Sequence, residues 1–143
     1  MSVVHCIALA IIAFAAAFHL HWAFGGKVGF AVSLPQQPDG RPVMNHRLSW
    51  WRPAAFGVAL ALLLLAIVTL SVAGSMHLPI SREVERLMLA LAGVAFVARA
   101  IVPNRYVGLL KTLRTTRWAR YDTRLYSPLF LILGVSLLFL ASR

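Results

Sequence analysis

Charge is scarce in this chain. Asp, Glu, Lys and Arg make up 13% of its 143 residues, about half the share found in soluble domains. By contrast 60% are hydrophobic and the mean hydropathy is +0.79. A soluble domain of this length could not hide so much apolar surface, which excludes the ordinary globular classes. Cysteine is nearly missing. Cys6 stands alone, so neither an intramolecular disulfide nor a CxxC redox pair is possible, and it reads as a small apolar filler. Metal-ligand spacing is absent from His5, His19, His21, His46 and His77, which form no HExxH or similar pattern. Gly25-Gly26-Lys27 lacks the spaced glycines and the following Ser or Thr of a phosphate loop. Ser127 has no histidine tied to it in sequence, and no internal repeat is evident.

What the chain does have is four apolar segments, at about 3–24, 53–75, 83–103 and 124–142. Each approaches the roughly 20 residues that cross a hydrocarbon core about 30 Å thick. They predict an all-α, polytopic membrane protein: one domain over 1–143, built as a bundle of four transmembrane helices. The first segment has no Lys or Arg before it and reads as a span rather than a cleaved signal.

The formal net charge is +10, with 14 Lys and Arg against 4 acids. In a soluble protein that balance would suggest nucleic acid; between membrane spans it reads as topology, with no nucleic-acid partner. Lys27, Arg41, Arg47 and Arg52 fall in the first loop, and Arg105, Lys111, Arg114, Arg117, Arg120 and Arg124 in the third. Only Arg82, Arg86 and Arg143 fall on the other side. The bias places loops one and three in the cytoplasm and both termini outside.

Local signals refine this frame. Trp50, Trp51 and Arg52 precede Pro53, a combination suited to the membrane interface and to a helix start. Ser81 can cap the third span, with Glu83 and Glu85 favoured in its first turn and Glu83 within reach of Arg86. In loop three, Val107, Leu109, Leu110 and Leu113 alternate with Lys111, Arg114 and Arg117. That pattern fits either a short amphipathic cytoplasmic helix on anionic headgroups or a solvated basic loop. Small residues at Ala13 and Ala17, and at Gly57 and Ala61, predict close helix packing.

Chemistry-bearing side chains gather near one face. His19 and Trp22 share a helix face at the end of the first span, Arg99 ends the third, and Asp122, Arg124 and Tyr126 introduce the fourth. Arg99 can snorkel to the inner interface, the default for a cation so placed, or pair with Asp122, because either charge buried alone would be costly. His19 and Asp122 are the candidate catalytic acid–base pair, and Trp22, Arg99, Arg124 and Tyr126 the candidate ligand-binding set. No metal or cofactor is signalled. The weighed alternative is haem between His5 and His77, which would need two ligands at one depth, and His77 reads as a loop residue.

Three stretches carry a family resemblance. FHLHWAFGGKVG, the segment SLPQQPDGRPV and VGLLKTLRTTRWARYDTRLYSPLFLILG resemble the H-x-x-W-A-x-G-G, Pro-rich and D-T-R-L-Y-S-P-L elements of a bacterial four-helix membrane family, domain of unknown function 3995. The resemblance covers nearly the whole chain and implies the architecture without an activity. It emphasises His19, Trp22, Gly25, Gly26, Lys111, Asp122, Thr123, Arg124, Tyr126, Ser127 and Pro128; His21 stands where an aromatic is common.

These observations predict a protein that binds an anionic amphiphile, such as a lipid, isoprenoid phosphate or quinone-like molecule, in a cytoplasmic-side pocket. The alternative is a non-enzymatic membrane subunit that assembles with a protein partner or a second copy. Whether any substrate is turned over stays open at this point.

Overall fold

The computed structural model describes residues 1–43 and 50–143; His46 and Arg47 fall outside them. The described residues are all helix and loop apart from one isolated bridge between Gln36 and Pro42. Helix α1 runs Val3–Ala23, α2 Trp51–Val72 and α3 Arg82–Ile101. The last helix, Arg117–Ala141, is built from α4 (Arg117–Tyr121), a π-helical turn (Asp122–Tyr126) and α5 (Ser127–Ala141). Three helices, α1, α2 and Arg117–Ala141, are long and apolar enough to cross a membrane.

Helix α1 packs chiefly on α2 and α3 chiefly on α5, with α1–α5 and α2–α3 contacts joining the two pairs. The core between them is aliphatic, with Ala8, Ile12, Leu62, Leu89, Leu133 and Leu137 buried. Outward faces carry Leu60, Leu64, Leu91 and Val135, all exposed, as a lipid-facing surface requires. The ends of α1 and α3, and the starts of α2 and α4, form one face of the molecule, here called the loop face. The chain ends and the α2–α3 turn form the opposite, terminal face.

The last helix begins seven residues earlier than the apolar run indicates. Thr116 is its cap, accepting the Ala119 N–H at 3.1 Å. Arg117, Arg120 and Asp122 masked the start in sequence. The amphipathic helix expected in loop three is not formed: residues 103–116 are turns and bends. Gly108 sits at φ +87°, which breaks a right-handed helix, and Lys111 points inward rather than to headgroups.

Small residues do set the closest helix approach, but on other faces than expected. Ala13, Ala17 and Ala61 are exposed, and nothing lies within 4 Å of a Cβ placed on Gly57. The tight crossing is between Gly93 of α3 and Gly134 of α5. A Cβ on Gly134 would stand 2.8 Å from the Gly93 carbonyl oxygen and 2.8 Å from the Val97 nitrogen. Both are backbone atoms that cannot yield alone, so α3 and α5 would be pushed apart. Gly134→Ala is expected to destabilise the protein by about 1–3 kcal/mol, measured by thermal unfolding in detergent; an unchanged midpoint would contradict this packing.

At the terminal face, Ser81 caps α3 by accepting the Val84 N–H at 3.4 Å. The ion pair there is Arg82–Glu85 at 2.8 Å, not Glu83–Arg86, because Glu85 turns inward and is buried. The Ser71 hydroxyl donates to Glu85 at 2.6 Å and Arg82 to the Ser71 carbonyl at 2.6 Å. This stitches the end of α2 to the start of α3.

Candidate functional site

At the end of α1 the chain HLHWAFGG folds as a helix stop. The Gly25 N–H bonds Trp22 O at 2.9 Å and the Gly26 N–H bonds His21 O at 2.8 Å, with Gly25 at φ +90°, a Schellman ending that needs glycine. The His21 ring lies where a Cβ on Gly26 would go and accepts the Val28 N–H at 3.3 Å. His21 therefore shapes this turn. Arg52 donates to the Ala23 carbonyl at 3.0 Å, so one cation of the first loop is fixed on the end of α1.

This turn folds loop one back over α1 and α2 and leaves a pocket of about 170 Å³. His19, Trp22, Phe30, Trp50, Trp51 and Val58 form much of its lining. The rings are mutually packed: Trp22 meets Phe30 at 6.0 Å between centroids, and Phe30 meets Trp51 at 4.6 Å. The Trp22 indole N–H donates to Val28 O at 2.8 Å, and His19 meets Trp22 edge-on at 5.1 Å.

The tautomer of His19 follows from its partner. Nδ1 lies 2.8 Å from the Ala15 carbonyl, which can only accept, so Nδ1 carries the proton. In the neutral ring Nε2 is then an acceptor. Among the described residues no Lys, Arg, Asp or Glu lines this pocket. It can hold an apolar ring and accept one hydrogen bond.

The other candidate residues form a separate, buried cluster between α3, loop three and the last helix. Asp122 is 0% exposed. Its Oδ1 accepts from Arg99 Nη2 at 2.9 Å; its Oδ2 accepts from Lys111 Nζ and the Gly108 N–H, each at 2.9 Å. Lys111 Nζ also donates to Thr123 Oγ1 at 2.6 Å and to Gly108 O at 3.0 Å, so all three of its protons have acceptors. The Arg99 guanidinium lies over the Phe130 ring at 5.0 Å and the Trp118 ring at 6.0 Å.

Gly108 makes the cluster possible. A Cβ there would stand 3.1 Å from Ala100 O and 3.2 Å from Arg99 O, and the neighbouring Leu109 N–H bonds Ala100 O at 2.7 Å. The loop thus closes onto the end of α3 and aims the Gly108 N–H at Asp122. The π-helical turn starts at Asp122 itself, a deviation often found at functional or constrained positions. Two buried polar atoms nearby, Arg99 Nη1 and Ser127 Oγ, have no protein partner.

The structure therefore divides the residues grouped in sequence. His19 and Trp22 share the aromatic pocket. Arg99, Asp122 and Tyr126 lie on the other side, with the Tyr126 ring tilted against Trp118 at 5.3 Å between centroids; Arg124 is exposed. Loop one bridges the two through Gln36, whose side chain accepts the Trp118 N–H at 3.0 Å. Sequence reasoning missed the inward course of Lys111 and the pocket roles of Phe30 and Trp51. The V-G-x-x-K spacing was the available signal for Lys111, since a left-handed glycine three residues earlier turns the lysine back on the helix end. Phe30 gave no such signal.

Among the described residues no group of three His, Cys, Asp or Glu could hold a metal ion. A family model described as "Protein of unknown function (DUF3995)" matches residues 11–137, taking in both the pocket and the buried cluster. No curated protein and no solved structure matches the chain.

Proposed function

The chain belongs to the DUF3995 family of proteins of unknown function, and from that premise we propose that it is a four-span bacterial inner-membrane protein whose loop face takes the head of a membrane-soluble amphiphile. The fourth span in this reading is α3, a 20-residue helix packed along α5 whose charges sit near its ends. The cations of the loop face support a cytoplasmic position for that face. Exposed Arg105, Arg117, Arg120 and Arg124 would face anionic lipid there.

The observation that carries the ligand reading is the pocket in which His19 presents an acceptor among packed aromatic rings. Its volume of about 170 Å³ is below the roughly 300–1,000 Å³ of sites that enclose whole drug-sized ligands. It suits a single ring, with a tail continuing into the bilayer. Among lipid, isoprenoid phosphate and quinone-like heads, a lining without charge among the described residues favours the quinone-like class in its quinol form, whose hydroxyl would donate to His19 Nε2. Arg99 and Asp122 satisfy one another and serve to hold loop three on the helices. We assign no reaction to them.

Three of the four tryptophans line the pocket, so intrinsic fluorescence reports on it. Titrating the detergent-solubilised protein with a short-chain benzoquinol is expected to change tryptophan emission saturably. His19→Leu removes the acceptor and should weaken the apparent affinity about tenfold. A linear, unsaturable response, or an unaltered affinity in His19→Leu, would count against the proposal. Mass spectrometry of purified material separates the second reading. A stable partner protein with no bound amphiphile favours a non-enzymatic subunit, which the self-contained Asp122 cluster also suits.

A further inference from the structure

The terminal face carries a second recess, independent of the aromatic pocket. It has a volume of about 690 Å³, and His5, Arg82, Arg86 and Arg143 lie in its wall above an apolar part that includes Phe139 and Leu140. Apart from Arg99 at the other end of α3, Arg82, Arg86 and Arg143 are the cations that loops one and three do not contain. The fold gathers all three around one opening, although they come from the start of α3 and the end of the chain.

Their surroundings differ. Arg82 is held by Glu85 and the Ser71 carbonyl, and Arg143 lies over the Phe139 ring at 4.6 Å. Arg86 is exposed. Glu85 is the carboxylate that meets this group, and both its oxygens are already engaged by Ser71 and Arg82. The recess is therefore rich in guanidinium donors, which suit the oxygens of a phosphate or carboxylate.

His5 adds an independent sign. Its Nδ1 accepts the main-chain N–H of Ser2 at 3.2 Å and lies 2.8 Å from the Ser2 hydroxyl. With Nδ1 accepting, the neutral ring carries its proton on Nε2. That atom is buried and has no acceptor in the protein. A buried donor left unmet is costly, and His5 lines the recess, so a small turn of its ring would bring Nε2 to an oxyanion seated among the arginines. The N-terminus of α1, whose dipole favours negative charge, contributes Val3 and Val4 to the same wall.

We propose that this recess is an anion site that takes a phosphate-type head group, with Arg86, Arg82 and His5 on the head and Phe139 and Leu140 along an attached chain. The recognised chemistry is a phosphoryl oxyanion, borne by a lipid or free. The volume is large enough for a head group together with the first part of an acyl chain.

The test is calorimetric, on the full chain in a neutral detergent. Dihexanoyl phosphatidic acid, dihexanoyl phosphatidylcholine and inorganic phosphate are titrated separately, and phosphate is also used as a competitor. Phosphatidic acid is expected to bind at least about tenfold more tightly than the zwitterionic lipid. Arg86→Gln and His5→Phe should each weaken it about tenfold, while Arg117→Gln on the loop face leaves it unchanged. Arg86 is exposed, so its variant folds; thermal unfolding checks His5→Phe. Competition by phosphate at matching affinity identifies a free oxyanion as the occupant, and failure to compete identifies the lipid. Equal affinity for the two lipids, or unaltered binding in Arg86→Gln, would overturn the proposal.

Discussion

Replacing Asp122 by Ala is expected to cost about 3–5 kcal/mol of stability, as removal of one partner from a buried ion pair does. The carboxylate is the shared acceptor of Arg99, Lys111 and the Gly108 N–H. Without it Lys111, itself 1% exposed, keeps only Thr123 and the Gly108 carbonyl, neither of which carries a charge. Asp122→Asn is expected to fall between wild type and Asp122→Ala, because an amide oxygen still serves one cation. A double-mutant cycle isolates the pair. Lys111→Met combined with Asp122→Ala should cost less than the two single changes summed, by about 0.5–3 kcal/mol. Strict additivity in denaturant unfolding would show that the two side chains do not share their energy.

Gly108→Val is expected to rival that loss from the backbone side. A β-branched residue in the left-handed region costs roughly 1–2 kcal/mol, and forcing a side chain into a filled space about 1–3 kcal/mol more. At φ +87° with Ala100 and Arg99 carbonyl oxygens 3.1 and 3.2 Å from the new Cβ, both apply. The N–H aimed at Asp122 would move as well, so the ion cluster loosens along with the turn. Gly57→Ala is the control. With nothing within 4 Å and a helical setting, it should leave the unfolding midpoint unchanged or raise it. A Gly108→Val protein that unfolds with wild type would refute the role assigned to this turn.

The helices were legible because apolar runs of membrane length leave few alternatives. The expected 3–24 and 53–75 compare with Val3–Ala23 and Trp51–Val72. The expected 124–142 compares with Arg117–Ala141; Arg117, Arg120 and Asp122 hid the first two turns. The Arg99–Asp122 pair was one of two readings open to Arg99, beside snorkelling to the interface, and the cost of burying either charge alone was its signal. The lateral position of a side chain was another matter. Helix ends at a common depth said that His19 and Asp122 share a face, but not that α1 packs chiefly on α2 while α3 packs chiefly on α5. Lys111 was opaque for a related reason. A lysine in a basic loop looks like its neighbours until the tertiary fold supplies three acceptors.

The Arg99–Asp122 contact also bears on how the chain enters the bilayer. A lone arginine or aspartate at the middle of a helix resists insertion by about 2.5–3.5 kcal/mol, and a position near one end lessens that without removing it. The two residues are 23 apart and lie on consecutive long helices, bonded at 2.9 Å. In the four-span reading proposed above, they would neutralise each other and let α3 and its successor be released into lipid as a single hairpin. The least apolar of the four long helices would then depend, for its integration, on a partner synthesised after it.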